Sequence, residues 1–90
     1  MTENDELLNI LREAAQASPQ NVALQKQFAD LLLSSKLYDE AEKVYRHILS
    51  LQPDDPAVKF ALAQAFFHQG KEAVALVILE RLLVHHQAPG

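Results

Sequence analysis

The chain has no cysteine and no tryptophan, and only two glycines and four prolines among its 90 residues. Without cysteine there is neither a disulfide framework nor a thiolate metal site. With glycine only at Gly70 and Gly90, no glycine-rich loop can cradle a phosphate. No run reaches the roughly 18 consecutive apolar residues of a membrane span. Lysine and arginine form no cluster and the formal net charge is −4, which argues against nucleic acid or an anionic membrane as a partner. The opening "MTENDELLNILREAA" is acidic and has no apolar signal core, so a cytoplasmic location is the expectation.

What is present is helical. Hydrophobic residues make up 49% and charged residues 22%, enough for a packed core in one domain over residues 1–90. Leu7, Leu8, Ile10, Leu11, Ala14 and Ala15 recur at helical spacing. This first helix should begin near Asn4 or Asp5 and stop before Pro19, because the residue preceding a proline is pushed out of the helical region. Asn21 caps a second helix reaching about Ser35. A third runs from about Tyr38 to Leu51, and Asp55-Pro56 opens a fourth that reaches about His68. "EAVALVILERLLVHH" forms the fifth. The fold class is all-α.

A shift of 34 residues superimposes the chain on itself without a gap. Pro19 falls on Pro53, Phe28-Ala29 on Leu62-Ala63, Leu32 on Phe66 and Ala41 on Ala75. A helix-turn-helix unit at that period is the signature of a stacked helical solenoid.

At these residues the chain resembles the tetratricopeptide repeat family. The family pattern places a large then a small residue in the first helix of each unit, matched by Phe28-Ala29 and Leu62-Ala63, with a bulky residue three further on, Leu32 and Phe66. It places a small alanine early in the second helix, an aromatic four later and a closing proline, matched by Ala41, Tyr45 and Pro53. Gly70 matches the turn glycine, where Lys36 stands one unit earlier; Leu79 replaces the aromatic and Gln87 the last proline. The resemblance implies antiparallel helix pairs stacked as a short right-handed solenoid of five helices, with a half unit (about 5–19), one unit (about 20–53) and another (about 54–87). It also implies a scaffold for protein or peptide partners. The N-terminal half unit resembles the repeats that precede an ATPase module in some bacterial multidomain ATPases, which makes an accessory domain of a longer enzyme a further expectation.

The chemistry-bearing residues point away from catalysis. Ser18, Ser34, Ser35 and Ser50 sit at helix ends and turns, where capping explains them. His47, His68, His85 and His86 do not make a ligand set, since neighbouring His85 and His86 point about 100° apart and nothing completes a site. Neither a metal nor a cofactor is expected. The resemblance places the first helices of successive units on a concave face, which here presents Lys26, Asp30 and Leu33, then Phe60, Gln64 and Phe67, as a groove for a peptide or helix. Some family members clamp a chaperone's C-terminal carboxylate; Asp30 stands where the clamp's asparagine would be, and Ala57 and Ala61 where further basic groups would be, so that ligand is not expected.

The repeat supplies an internal control for the last helix. Glu40, Glu42, Lys43 and Ser50 of the third helix are replaced, 34 residues on, by Val74, Leu76, Val77 and Val84. Ala75, Ile78, Leu79 and Leu82 make the repeat's own stripe; Val74, Val77 and Val84, interrupted by Arg81, make a second one roughly 150° away. End units of solenoids ordinarily carry a polar outer face. A second copy in a symmetric dimer, a following helix or domain of a longer chain, or another protein would each cover it; the tail "HHQAPG" reads as the start of a linker.

The small residues at the helix contacts give the first test. Ala41→Leu or Ala75→Leu is expected to overpack the helix pair and lower the unfolding free energy by about 1–3 kcal/mol in urea titration; unchanged stability would show that the helices do not approach at these alanines.

Overall fold

The computed structural model describes residues 3–87, with side chains as far as Val84. Five helices follow one another: α1 (Glu3–Ala17), α2 (Val22–Ser34), α3 (Tyr38–Leu51), α4 (Pro56–His68) and α5 (Glu72–Gln87). Their starts have visible causes. The Asn21 side chain accepts from the Leu24 N–H at 3.2 Å, and the Asp55 carboxylate accepts from the N–H groups of Ala57 and Val58 at 3.1 and 3.3 Å. Pro56 occupies the first turn of α4, where its missing N–H has no helical partner to lose. The expected boundaries hold within two residues. One expectation changes: α5 continues through His85 and His86 to Gln87, so the linker reading of the tail applies at most to residues 88–90, which lie outside the described residues.

Of the four connections, the α2–α3 and α4–α5 turns are the same object, 34 residues apart. Leu37 N–H donates to Leu32 O and Lys36 N–H to Leu33 O; Lys71 N–H donates to Phe66 O and Gly70 N–H to Phe67 O, all between 2.9 and 3.1 Å. This reverse-wound ending needs one residue in the left-handed region. Gly70 supplies it at φ 80°, and Lys36 is forced into it at φ 65°.

Each helix packs on its neighbour in sequence, and α2 also touches α4. The radius of gyration is 13.9 Å, against about 12 Å for a compact domain of this length. With extents of 46 × 27 × 16 Å, the molecule is an elongated stack. The core runs along it as one continuous cluster from Leu8 and Ala15 through Phe28, Leu32, Tyr45 and Ile48 to Val58, Leu62, Phe66 and Ala75. Ala29 and Ala41 are 0% exposed and Ala63 and Ala75 1%, so the backbones close up at these alanines while the larger side chains fill the flanks.

Buried polar groups tie the units together. Gln25, 4% exposed, donates to Ala15 O at 2.9 Å and Ser18 O at 3.3 Å, satisfying carbonyls at the end of α1. Tyr45 O–H donates to Asp30 at 2.6 Å; burial, and then this bond, raise the phenol's pKa.

The turn pair yields opposite predictions. A non-glycine residue in the left-handed region costs roughly 1–2 kcal/mol, while glycine returns about 0.4–1 kcal/mol of that as unfolded-chain entropy. Lys36→Gly should therefore stabilise, and Gly70→Ala destabilise, by a similar amount of about 0.8 kcal/mol. Gly70 has open space around it, so no clash adds to its cost. Thermal melts of the two variants shifting in the same direction would contradict this reading of the turns.

Candidate protein-docking surfaces

Apolar residues are left in water on two sides of α5. On its outer side Val74, Val77 and Val84 are 45%, 48% and 67% exposed, with Arg81 among them. Their counterparts on α3, Glu40, Lys43 and Ser50, are the polar residues expected at such positions. On the forward side, a cavity of about 580 Å³ is lined by Pro56, Ala57 and Phe60 of α4 and by Leu79, Leu82 and Leu83 of α5.

The forward cavity has an exact counterpart one unit earlier in register, and there it is filled. Tyr45 and Ile48, the equivalents of Leu79 and Leu82, are 1% and 0% exposed because α4 lies over them. Lys26, the equivalent of Phe60, makes an ion pair at 2.6 Å with Asp55, the residue that caps α4. Leu79 and Leu82 remain only half-buried, since among the described residues no helix stands on α5 as α4 stands on α3. The expectation that the Ala75–Leu79–Leu82 side is consumed in holding the repeat together is thus corrected: Ala75 is consumed, and the two leucines are partly open.

The residues expected to form one concave groove lie on α2 (Lys26, Asp30, Leu33) and α4 (Phe60, Gln64, Phe67), two helices in contact. Phe60 is 50% exposed and faces the forward cavity. Phe67 is 55% exposed and lies edge-on to His68 at 5.7 Å. Gln64 is exposed and Leu33 half-buried. Asp30 is exposed and Lys26 half-buried, and they bond Tyr45 and Asp55 respectively. Leu83, 57% exposed, belongs with Phe60 and was not singled out from the sequence. Its counterpart Leu49 is partly covered by the next unit, and only the placement of α4 reveals the difference.

Several charged groups elsewhere are paired. Arg12 holds Glu40 through two bonds of 2.7 Å, and this bonding draws the Glu40 carboxyl below its ordinary value. Burial pushes the Glu42 carboxyl up, but the Gln69 amide at 2.9 Å, with Lys71 and Arg46, outweighs it and the net shift is downward. Lys26 and the helix N–H groups draw Asp55 down. His47 donates from Nε2 to Pro19 O at 2.6 Å, and His68 stacks on Tyr38 with ring centroids 4.6 Å apart. Among the described residues no group of three or more His, Asp or Glu is placed to hold a metal, and no helix is long and apolar enough to cross a membrane.

The tetratricopeptide repeat family model matches residues 5–59 and again 38–89. The chain belongs to the tetratricopeptide repeat family. The overlap of the two matches across α3 reflects a unit that closes one helix pair and opens the stacking of the next. No curated protein matches the sequence. Among solved structures, a point mutant of MamA is similar, with a TM-score of 0.86 at 22% identity, covering 98% of this chain and 48% of that one. A crystal form of MamA AMB-1 gives a TM-score of 0.82 at 24% identity, covering 89% of this chain and 47% of that one. This tetratricopeptide chain therefore spans about half the length of those structures and shares their helical-repeat fold. The family fold is one for protein–protein interaction.

The pairings have a pH signature. Glu40, Glu42 and Asp55 titrate in the folded state below their ordinary values of 4.5, 4.5 and 3.8. Groups shifted in this direction stabilise fully above the ordinary values, and that stabilisation is lost as pH falls through the lowered ones. Urea stability of this tetratricopeptide unit should hold from pH 7 to about 5 and decline below that. Glu40→Gln or Asp55→Asn should flatten the decline, and an identical acid limb in both variants would contradict the assignment.

Proposed function

We infer that the chain is an assembly module, without chemistry of its own, that docks onto protein through the outer face of α5. The observation that supports this is the substitution of Val74, Val77 and Val84 for the polar Glu40, Lys43 and Ser50 of its own sibling helix, on a face left in water. Exposing three valines where the repeat elsewhere keeps charge has no value for the fold, since Ala75, Ile78 and Leu79 already make the core contacts. An exposed apolar patch of this kind, with Arg81 among the valines, is the mark of an interaction surface.

A second reading places an apolar helix or peptide in the forward cavity, on Phe60, Leu79 and Leu83. It is favoured by the filled counterpart, where α4 itself is the occupant. Such an occupant includes a following helix of a longer chain, which would make the module an accessory domain.

Site-directed photo-crosslinking in cells separates the two. A benzophenone side chain placed singly at Val77, at Phe60 and, as a control, at Lys43 should give a protein adduct from Val77 and none from Lys43. An adduct from Phe60 alone would move the docking site to the forward cavity. Absence of adducts at both positions would reject both readings.

A further inference from the structure

Alternate helices leave two equivalent spaces, between α1 and α3 and between α3 and α5. Neither pair comes into close backbone contact, so side chains decide whether each space is closed. Between α1 and α3 it is stitched shut. Arg12 holds Glu40 through two bonds of 2.7 Å. Gln25 donates to Ala15 O and Ser18 O, and His47 to Pro19 O, which satisfies carbonyls at the end of α1. Ala15 and Gln25 are buried.

One unit on, none of these bonds has a counterpart. Val74 replaces Glu40, Lys59 replaces Gln25, Arg81 replaces His47 and Leu49 replaces Ala15. Arg46, the counterpart of Arg12, turns back to Glu42 on its own helix at 3.4 Å. Gln69 and Lys71 reach α3 at Glu42, about two helical turns from Leu49. The side chains of Lys59 and Arg81 make no hydrogen bond or ion pair among the described residues, so the corresponding carbonyls of Leu49, Gln52 and Pro53 receive nothing from them. What is left is a cavity of about 310 Å³, floored by Leu49, Leu62, Ile78 and Leu82 and edged by Lys59 and Arg81. Of the chain's eight lysines and arginines, Arg12, Lys26, Arg46 and Lys71 are ion-paired, and two of the other four edge this cavity.

Resting on the reading that α5 docks onto protein, we propose that the space between α3 and α5 receives an acidic, aliphatic segment of the partner polypeptide. A carboxylate of the segment lies between Lys59 and Arg81, and the apolar side chain beside it enters over Leu49, Ile78 and Leu82. Two cations without partners on an apolar floor complement that combination. Arg81 joins this site to the valine face: around α5 it lies about 20–60° from Val74, Val77 and Val84 and about 60° from Ile78. One segment can therefore cover both.

The carbonyls at the end of α3 select the class of ligand. The earlier unit satisfies its equivalents with an amide N–H from Gln25 and a ring N–H from His47. A polypeptide brings N–H donors together with its carboxylates, whereas a fatty acid brings the carboxylate alone. A phosphate group brings no N–H either, and its larger charge meets the negative end of the α3 dipole that these carbonyls form.

Methyl NMR of the full chain tests this with two acetylated, amidated hexapeptides, Leu-Glu-Leu-Glu-Leu-Glu and its glutamine counterpart, with helicity checked for each variant. The acidic peptide should shift the methyls of Leu49, Ile78 and Leu82, and the glutamine peptide should leave them unmoved. Lys59→Gln and Arg81→Gln should each weaken the acidic peptide by about fivefold or more, for the loss of one charge-assisted bond at a partly exposed site. Reversal of both charges, Lys59→Glu with Arg81→Glu, should abolish its binding and admit the lysine peptide of the same pattern. Equal shifts from the acidic and glutamine peptides, shifts confined to methyls elsewhere, or variants that bind like the parent would each overturn the proposal. Decanoate shifting these methyls where the acidic peptide does not would overturn it in favour of an amphiphile. A Val77 photo-adduct that survives the charge reversal would overturn the acidic segment and leave the docking reading standing; absence of that adduct from the parent chain would overturn both.

Discussion

The close approach of paired helices at alanine is the contact on which the rest of this structure depends. Ala29 faces the α2–α3 pair and Ala41 answers from α3; Ala63 and Ala75 repeat the arrangement between α4 and α5. All four are sealed from solvent. A methyl group at these points lets Phe28, Leu32, Tyr45, Leu62 and Phe66 interdigitate beside them rather than hold the helices apart. The turns are then dictated. A helix pair that close needs the abrupt ending seen at both turns, with one residue at positive φ, and the chain accepts an unfavourable lysine at position 36 to keep it.

Because the repeat's cohesion is concentrated on one side of each helix, the opposite sides are free to diverge, and α3 and α5 have done so. The inner sides of the two helices share an alanine at the same place. Their outer sides differ in kind: α3 carries acids, bases and a serine, several of them recruited to hold neighbouring units through Arg12 and Lys71. On α5 the same register is apolar around Arg81. The stack thus has one end whose last helix keeps the internal contacts of the family and presents a surface of a different composition.

Much of this was legible in the sequence, for a physical reason. The 34-residue period, the cap residues Asn21 and Asp55, and the turn at Gly70 depend on local chemistry or on comparison of the chain with itself. The outer valines of α5 were legible by the same comparison. The partners of long polar side chains were not. Helical spacing puts Lys26 and Asp30 on one face, and it does not show that each also finds a partner on a different helix, Asp55 at the start of α4 and Tyr45 on α3. Gln25 and Gln69 gave no sequence signal, since they bond groups brought near by packing, Ala15 O for Gln25 and the Glu42 carboxylate for Gln69. Leu83 could not be told from its buried-looking register mate until the absence of a helix over α5, among the described residues, was seen.

The central claim is that the Val77–Val84 face of α5 is open in the isolated module and closed in its working assembly. Methyl NMR with a soluble paramagnetic probe reports this directly. The account predicts strong probe-induced relaxation at the Val77 and Val84 methyls in dilute solution and its loss on assembly, with the core methyls of Val58 protected throughout. Val77 and Val84 methyls equally accessible in the dilute and assembled states would contradict it.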